Sequence, residues 1–246
     1  MRYLVLTDIH ANLEALVACI AGAKARGYDE ALVLGDLVGY GPDPNATVEC
    51  VRELEPAAIV RGNHDKVACG LEHAESFNVV ARRAAQWTMD ALTAEHREWL
   101  SALPSGPTIV NGTIEICHGS PFDEDAYIFD ELDAVRGLKT SHRPLCLFGH
   151  THYPVAYELA DTVVDVLAVN GSETSIALRN GSKYLVNPGS VGQPRDGNPR
   201  SAYAIVDTAL RRIELVRVDY SFEDTQVKIL QAGLPEVLAQ RLAVGR

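Results

Sequence analysis

Apolar positions in the first sixty residues fall into short blocks separated by helix-spaced stripes. Tyr3–Leu6 is a four-residue apolar run of the kind carried by a strand covered on both faces. Leu13, Leu16, Val17 and Ile20 then recur at i, i+3, i+4 and i+7, which predicts an amphipathic helix with Asn12 as its N-cap and Gly27 as its stop. A second run, Ala31–Leu34, ends at Gly35. Asp43-Pro44 reads as a cap and first-turn proline opening a helix through about Leu54, and Ala57–Val60 is a third strand. Strands alternating with helices predict βαβ units and a largely parallel sheet.

From Lys66 to Leu103 the pattern is helical, with Phe77, Val80, Ala84 and Trp87 on one stripe, until Pro104 stops it. This 66–104 segment either packs into the core through Trp87 and Trp99 or caps a site. Strands are expected at 113–117, 145–148, 155–159, 163–169, 175–178, 184–186, 203–206 and 213–218. Turn signals at Asn170-Gly171 and Asn180-Gly181 predict an antiparallel meander in this region. A last amphipathic helix carries Val227, Leu230 and Leu234. No repeat or linker divides the chain, so one α/β domain over residues 1–246 is expected.

Charge narrows the partners. Acids outnumber bases 33 to 22, giving a formal charge of −11 with no basic run, so neither long nucleic acid nor an acidic membrane surface is an expected partner. Five scattered cysteines without a CxxC pair read as reduced residues of a cytoplasmic protein. The N-terminus lacks the layout of a signal peptide, and no stretch reaches the roughly 20 apolar residues needed to cross a bilayer.

The candidate chemistry lies at the strand ends. The first strand runs into Asp8-Ile9-His10, the second into Gly35-Asp36 and the third into Gly62-Asn63-His64-Asp65. Later strands run into His118-Gly119 and Gly149-His150-Thr151-His152. Carboxyl ends of strands in an open α/β sheet share one edge, where ligands bind. This predicts that Asp8, His10, Asp36, Asn63, His118, His150 and His152 meet. Mixed carboxylate, amide and imidazole donors suit Mn, Fe, Zn or Ni better than Ca. In an extended x-y-x segment, Asp8 with His10 and His150 with His152 would each point to one side.

These five elements, in this order over residues 8 to 152, resemble the calcineurin-like metallophosphoesterase motif DxH…GD…GNHD/E…H…GHxH. The small size and the Asn187-Pro188-Gly189-Ser190 turn are similar to the compact bacterial and archaeal phosphodiesterase branch, YfcE-like or diadenosine-tetraphosphatase-like. The resemblance implies a four-layer αββα sandwich of two mixed sheets. It implies one divalent ion (Mn, Fe, Ni, Zn or Mg) on Asp8, His10 and His152, and a second on Asn63, His118 and His150, with Asp36 bridging. It also places His64 facing the phosphate, where the ring is expected to protonate the leaving oxygen or stabilise the transition state, with its neighbour Asp65 as the expected orienting partner. The expected reaction is hydrolysis of a small or nucleotide-derived phosphodiester, or a monoester, by in-line attack of a hydroxide held between the metals. Arg195, Arg200 and Tyr40 are weaker candidates for touching substrate. Dimers are common in that family, so a homodimer is one expectation, although no interface is legible. The alternatives are a dinucleoside polyphosphate hydrolase, a nuclease, and a non-catalytic scaffold of the same fold.

Overall fold

A computed structural model describes residues 1–246. Residues 1–101 run β1 (Arg2–Leu6), α1 (Leu13–Arg26), β2 (Glu30–Val33), α2 (Pro44–Glu53), β3 (Ala58–Ile59), α3 (Asn63–Cys69), α4 (Val79–Ala91) and α5 (Ala94–Ser101). The middle holds β4 (Thr108–Val110), β5 (Ile114–Ile116), α6 (Glu131–Thr140), β6 (Leu145–Leu147), β7 (Val155–Ala160) and β8 (Val163–Leu167). The chain ends with β9 (Glu173–Ala177), β10 (Lys183–Asn187), β11 (Ser201–Asp207), β12 (Arg212–Val218), α7 (Phe222–Gln231) and α8 (Glu236–Val244).

Two six-stranded mixed sheets form, ordered β3-β2-β1-β11-β12-β9 and β4-β5-β6-β10-β7-β8. Their facing surfaces bury Tyr3, Val5, Leu32 and Leu34 against Ile114, Ile116, Leu147 and Val186. Alternate residues of the same strands, Leu4, Leu6 and Val33, pack outward with Leu16, Ile20 and Val48 of α1 and α2. On the second sheet Cys117, Cys146 and Leu185 pack against Ala134 and Leu138 of α6. Strands apolar on both faces therefore lie between helix layers, and the αββα sandwich is formed.

Several expectations change. The second half is no single meander: β9 pairs with β12 in the first sheet, while β8 and β10 both flank β7 in the second. The helical stretch after Lys66 is broken into three. Left-handed Gly70 ends α3, the Asn78 side chain caps α4 by accepting from the Val80 and Ala81 N–H groups, and Thr93 caps α5. Of the expected apolar stripe, Leu234 is buried just past the end of α7, but Val227 and Leu230 are about half exposed. The face that α7 buries instead carries Ile229 and Thr225, whose hydroxyl lies 3.0 Å from both Asn12 Oδ1 and Glu14 Oε2 and shares its one proton between them. Val17, expected on the buried stripe of α1, is also half exposed. Strand β4 and helices α6 and α8 have no counterpart in the pattern reading. No helix is long and apolar enough to cross a membrane.

Candidate metal centre

All five predicted strand ends open on the same edge of the sandwich. Asp8 and His10 follow β1, Asp36 follows β2, Asn63 and His64 open α3 just past β3, His118 follows β5, and His150 and His152 follow β6. Asp8, His10, Asp36 and His152 each offer one donor atom within a 4.8 Å cluster, and Asp36, His118 and His150 form a second cluster. All six are buried. The convergence does not come from extended x-y-x segments. Asp8, His10, His150 and His152 adopt φ of 52°, 50°, 68° and 61°, and Asp36 adopts 52°. Left-handed backbone at five non-glycine residues is strain of the kind stored at functional sites.

Backbone carbonyls fix which ring nitrogen of each histidine faces the cluster. His10 Nδ1 donates to the Val38 carbonyl at 3.1 Å and His152 Nδ1 to the Gln193 carbonyl at 2.6 Å. Their Nε2 atoms are thereby left as lone pairs, yet stand 3.1 Å apart. His118 Nδ1 donates to Leu34 O at 2.8 Å and His150 Nε2 to Asp125 O at 3.2 Å, so His118 Nε2 and His150 Nδ1 face each other at 3.1 Å. Two pairs of neutral imidazole lone pairs in contact repel unless a cation sits among them. Asp36 Oδ2 lies between the pairs, 3.5 Å from His10 Nε2 and 3.4 Å from His118 Nε2. Asp8 Oδ1 is 3.4 Å from His152 Nε2, and Asn63 Oδ1 is 3.3 Å from His118 Nε2. The donor set and its fixed tautomers fit divalent metals.

The electrostatics agree. Burial holds His10 and His152 well below the ordinary imidazole range and brings His150 down to about 3, so these rings stay neutral as ligands must. At His118 burial acts the same way, but the Asp36 carboxylate outweighs it and lifts the ring to about 10. A proton there takes the place a metal cation would claim. Burial opposes the charge on Asp36, yet the His118 and His64 rings beside it hold its carboxyl well below its usual value.

The remaining candidates separate. His64 is buried with Nδ1 unpartnered, its ring 4.9 Å from His10, 4.3 Å from Tyr40 and 4.5 Å from Phe77. Asp65 does not orient it. The Asp65 carboxylate instead accepts from the Leu37, Val38 and Gly62 N–H groups at 2.8, 3.1 and 2.9 Å, tying the loop after β2 to the start of α3. Tyr40 lies 4.7 Å from the His10 ring, and the Arg195 guanidinium 5.8 Å above Tyr40, so both border the cluster. Arg200 does not, because its Nε donates to Asn198 Oδ1 at the opening of β11.

Two aromatic walls complete the site. Phe77 covers His64 from the 66–104 segment, and Tyr127 stacks on His150 at 3.8 Å. The carbonyls of Leu34, Val38, Asp125 and Gln193, which set the tautomers, leave no trace in side-chain identity. Glycine matters at Gly149, where a Cβ would fall 2.0 Å from Thr7 Oγ1 and 2.9 Å from Asp8 Oδ2.

Residues 1–210 match the family model of the calcineurin-like phosphoesterase superfamily domain. An uncharacterized protein of Methanocaldococcus jannaschii is 37% identical over 254 residues, covering 98% of this chain and 97% of its own. The crystal structure of a metallophosphoesterase from Sphaerobacter thermophilus is 39% identical, with TM-score 0.86 over 100% of this chain and 99% of that one. A hypothetical protein from Pyrococcus horikoshii shares the fold at 22% identity and TM-score 0.80, covering 100% of this chain and 98% of its own.

Proposed function

Since the chain belongs to the calcineurin-like phosphoesterase superfamily and is a metal-dependent phosphoesterase, we propose that it hydrolyses small or nucleotide-derived phosphodiesters at a pair of divalent ions. The observation that carries this reading is the two imidazole lone-pair contacts placed on either side of one shared carboxylate, Asp36. One ion would take Asp8, His10, Asp36 and His152, and the other Asp36, Asn63, His118 and His150. Two such ions, when bound, activate water near neutral pH and neutralise charge on the phosphoryl oxygens.

The chain's own residues do the rest. The His150 backbone N–H is shared between both oxygens of Asp8, at 3.0 and 3.1 Å, and the His64 backbone N–H donates to Asp36 Oδ1 at 2.8 Å, so both carboxylates are aimed before substrate arrives. We assign the His64 ring to the leaving oxygen. Burial holds it at about 4, so at neutral pH it is an uncharged donor that stabilises charge as the bond breaks. Arg195 adds positive charge at the mouth, where Tyr40 forms a wall. The acidic surface disfavours long nucleic acid as substrate.

The test is a hydrolysis screen of metal-loaded wild type and His64→Ala, with metal content measured for both. Substrates are bis-p-nitrophenyl phosphate, p-nitrophenyl phosphate, a dinucleoside polyphosphate and a single-stranded oligonucleotide. The reading predicts diester turnover, and a loss of about 10²–10⁴-fold in His64→Ala at unchanged metal content. No turnover with any metal, or a fully active His64→Ala, contradicts it.

A further inference from the structure

At the other end of the sandwich lies a cavity of about 500 Å³, in the range that accommodates small ligands. It opens where β5, β6 and β10 begin and β11 ends, whereas the histidine cluster follows the carboxyl ends of β5 and β6. Its floor is apolar: Ile114, Leu145, Tyr184 and Val206, each buried. Its rim carries Arg143, Arg179 and Arg211. None of its 16 lining residues is an aspartate or glutamate, in a chain where acids outnumber bases 33 to 22.

The rim cations are largely unspent. Arg143 and Arg211 have no carboxylate within salt-bridge distance, and Arg179 has only Glu158 at 3.5 Å. Arg143 Nε is buried with no hydrogen-bond partner. Arg211 donates through Nε and Nη2 to the Leu178 and Arg179 carbonyls at 3.1 and 3.2 Å, which stiffens it without neutralising it. Of the carboxylates close by, Glu115 accepts from the His142 backbone N–H at 2.7 Å through Oε2, Glu158 beside Arg179 also accepts from the Tyr184 hydroxyl at 2.6 Å, and Asp207, between Val206 and Thr208, pairs with Arg2 at 3.4 Å. Lys183 is also committed, donating to the Leu138 and Ser141 carbonyls.

We infer that this cavity is a second binding site, separate from the metal centre, for an organic phosphate. Guanidinium forks match phosphate oxygens in pairs, and three of them around one mouth favour more than a single charge. The apolar floor adds affinity only for a ligand that carries a carbon body beneath its phosphate. Free phosphate would meet the rim and leave the floor wet.

The experiment titrates ADP and, separately, orthophosphate into chelator-treated protein by calorimetry, so that the metal centre does not compete. Wild type is compared with the triple variant Arg143→Gln/Arg179→Gln/Arg211→Gln and with Asp36→Asn. The double variant Arg179→Gln/Arg211→Gln, altered only at exposed side chains, serves if the triple variant does not fold. ADP should bind wild type and Asp36→Asn alike, tighter than orthophosphate and more weakly as salt rises. The arginine variants should lose tenfold or more in ADP affinity while hydrolysing bis-p-nitrophenyl phosphate at the wild-type rate. Absence of ADP binding, unchanged affinity in the arginine variants, loss of binding in Asp36→Asn, or orthophosphate binding as tightly as ADP would each overturn the inference. All four readouts are independent of whether the metal centre hydrolyses diesters.

Discussion

Gly62→Ala places one methyl group against the carboxylate on which the metal centre turns. A Cβ at position 62 would stand 2.1 Å from Asp36 Oδ1, 2.7 Å from its Cγ and 2.4 Å from its backbone nitrogen. Ordinary contact begins near 3.4 Å, so the carboxylate must retreat by more than an ångström. Rotating the side chain does not suffice, because the backbone nitrogen clashes as well. Asp36 Oδ1 is also held by the His64 N–H at 2.8 Å, so the start of α3 moves with it. Overpacking of this kind costs about 1–3 kcal/mol, which a folded domain survives. Misplacing a reacting geometry by about 1 Å costs on the order of 10²-fold in rate. Gly62→Ala is therefore expected to remain folded by circular dichroism and to lose about 10²-fold in kcat/KM for bis-p-nitrophenyl phosphate. Its metal affinity should fall by about 10–100-fold, as when a supporting contact is removed. Wild-type turnover and metal content in Gly62→Ala would refute the assignment of Asp36 as the shared ligand.

Other perturbations test neighbouring parts of the account. Asp65→Ala leaves three buried N–H groups without an acceptor. It should lower stability by several kcal/mol in urea unfolding, at about 1–3 kcal/mol for each unsatisfied group, and an effect below 1 kcal/mol would show the loop holds itself. His64, held at about 4 by burial, is neutral in the fold where the unfolded chain would charge near 6.5. Its folded value is depressed, so protons favour the unfolded chain and stability falls as pH drops from about 6.5 towards 4. Chelated wild type should lose about 3 kcal/mol more than His64→Gln over that range; parallel acid-unfolding curves would contradict it. With metal present, activity should fall as pH drops because protons compete for His118, which Asp36 makes the most basic of the ligand rings, while His10, His150 and His152 stay neutral; a flat profile from about pH 8 to pH 4 would contradict ligation by His118.

How much of this was legible in the sequence depends on whether side chains or backbone carry the information. Strands apolar on both faces, such as Tyr3–Leu6, announced a covered sheet, and the polar clusters after them announced one edge where Asp8 to His152 meet. What escaped was set by partners distant in the chain. Helix α7 buries Ile229 and Thr225, the latter bonded to Asn12 more than two hundred residues away, in place of Val227 and Leu230. The pairing of β9 with β12 in preference to β8 is a tertiary choice that alternation does not encode. Asp65 looked like a partner for His64 because the two are adjacent, but its carboxylate turns to three N–H groups. Arg200 and Arg195 share one loop, and only the path of that loop separates the arginine near Tyr40 from the one that bonds Asn198.

On the proposed function, two facing histidine pairs share Asp36 to hold two ions that act together. The most direct measurement is calorimetric titration of Mn²⁺ into chelated protein, with diester hydrolysis followed at each addition. Two ions should bind per chain, activity should rise with the second, and Asp36→Asn should lose the cooperation of the two sites. Saturation of binding and activity at one ion per chain would contradict it.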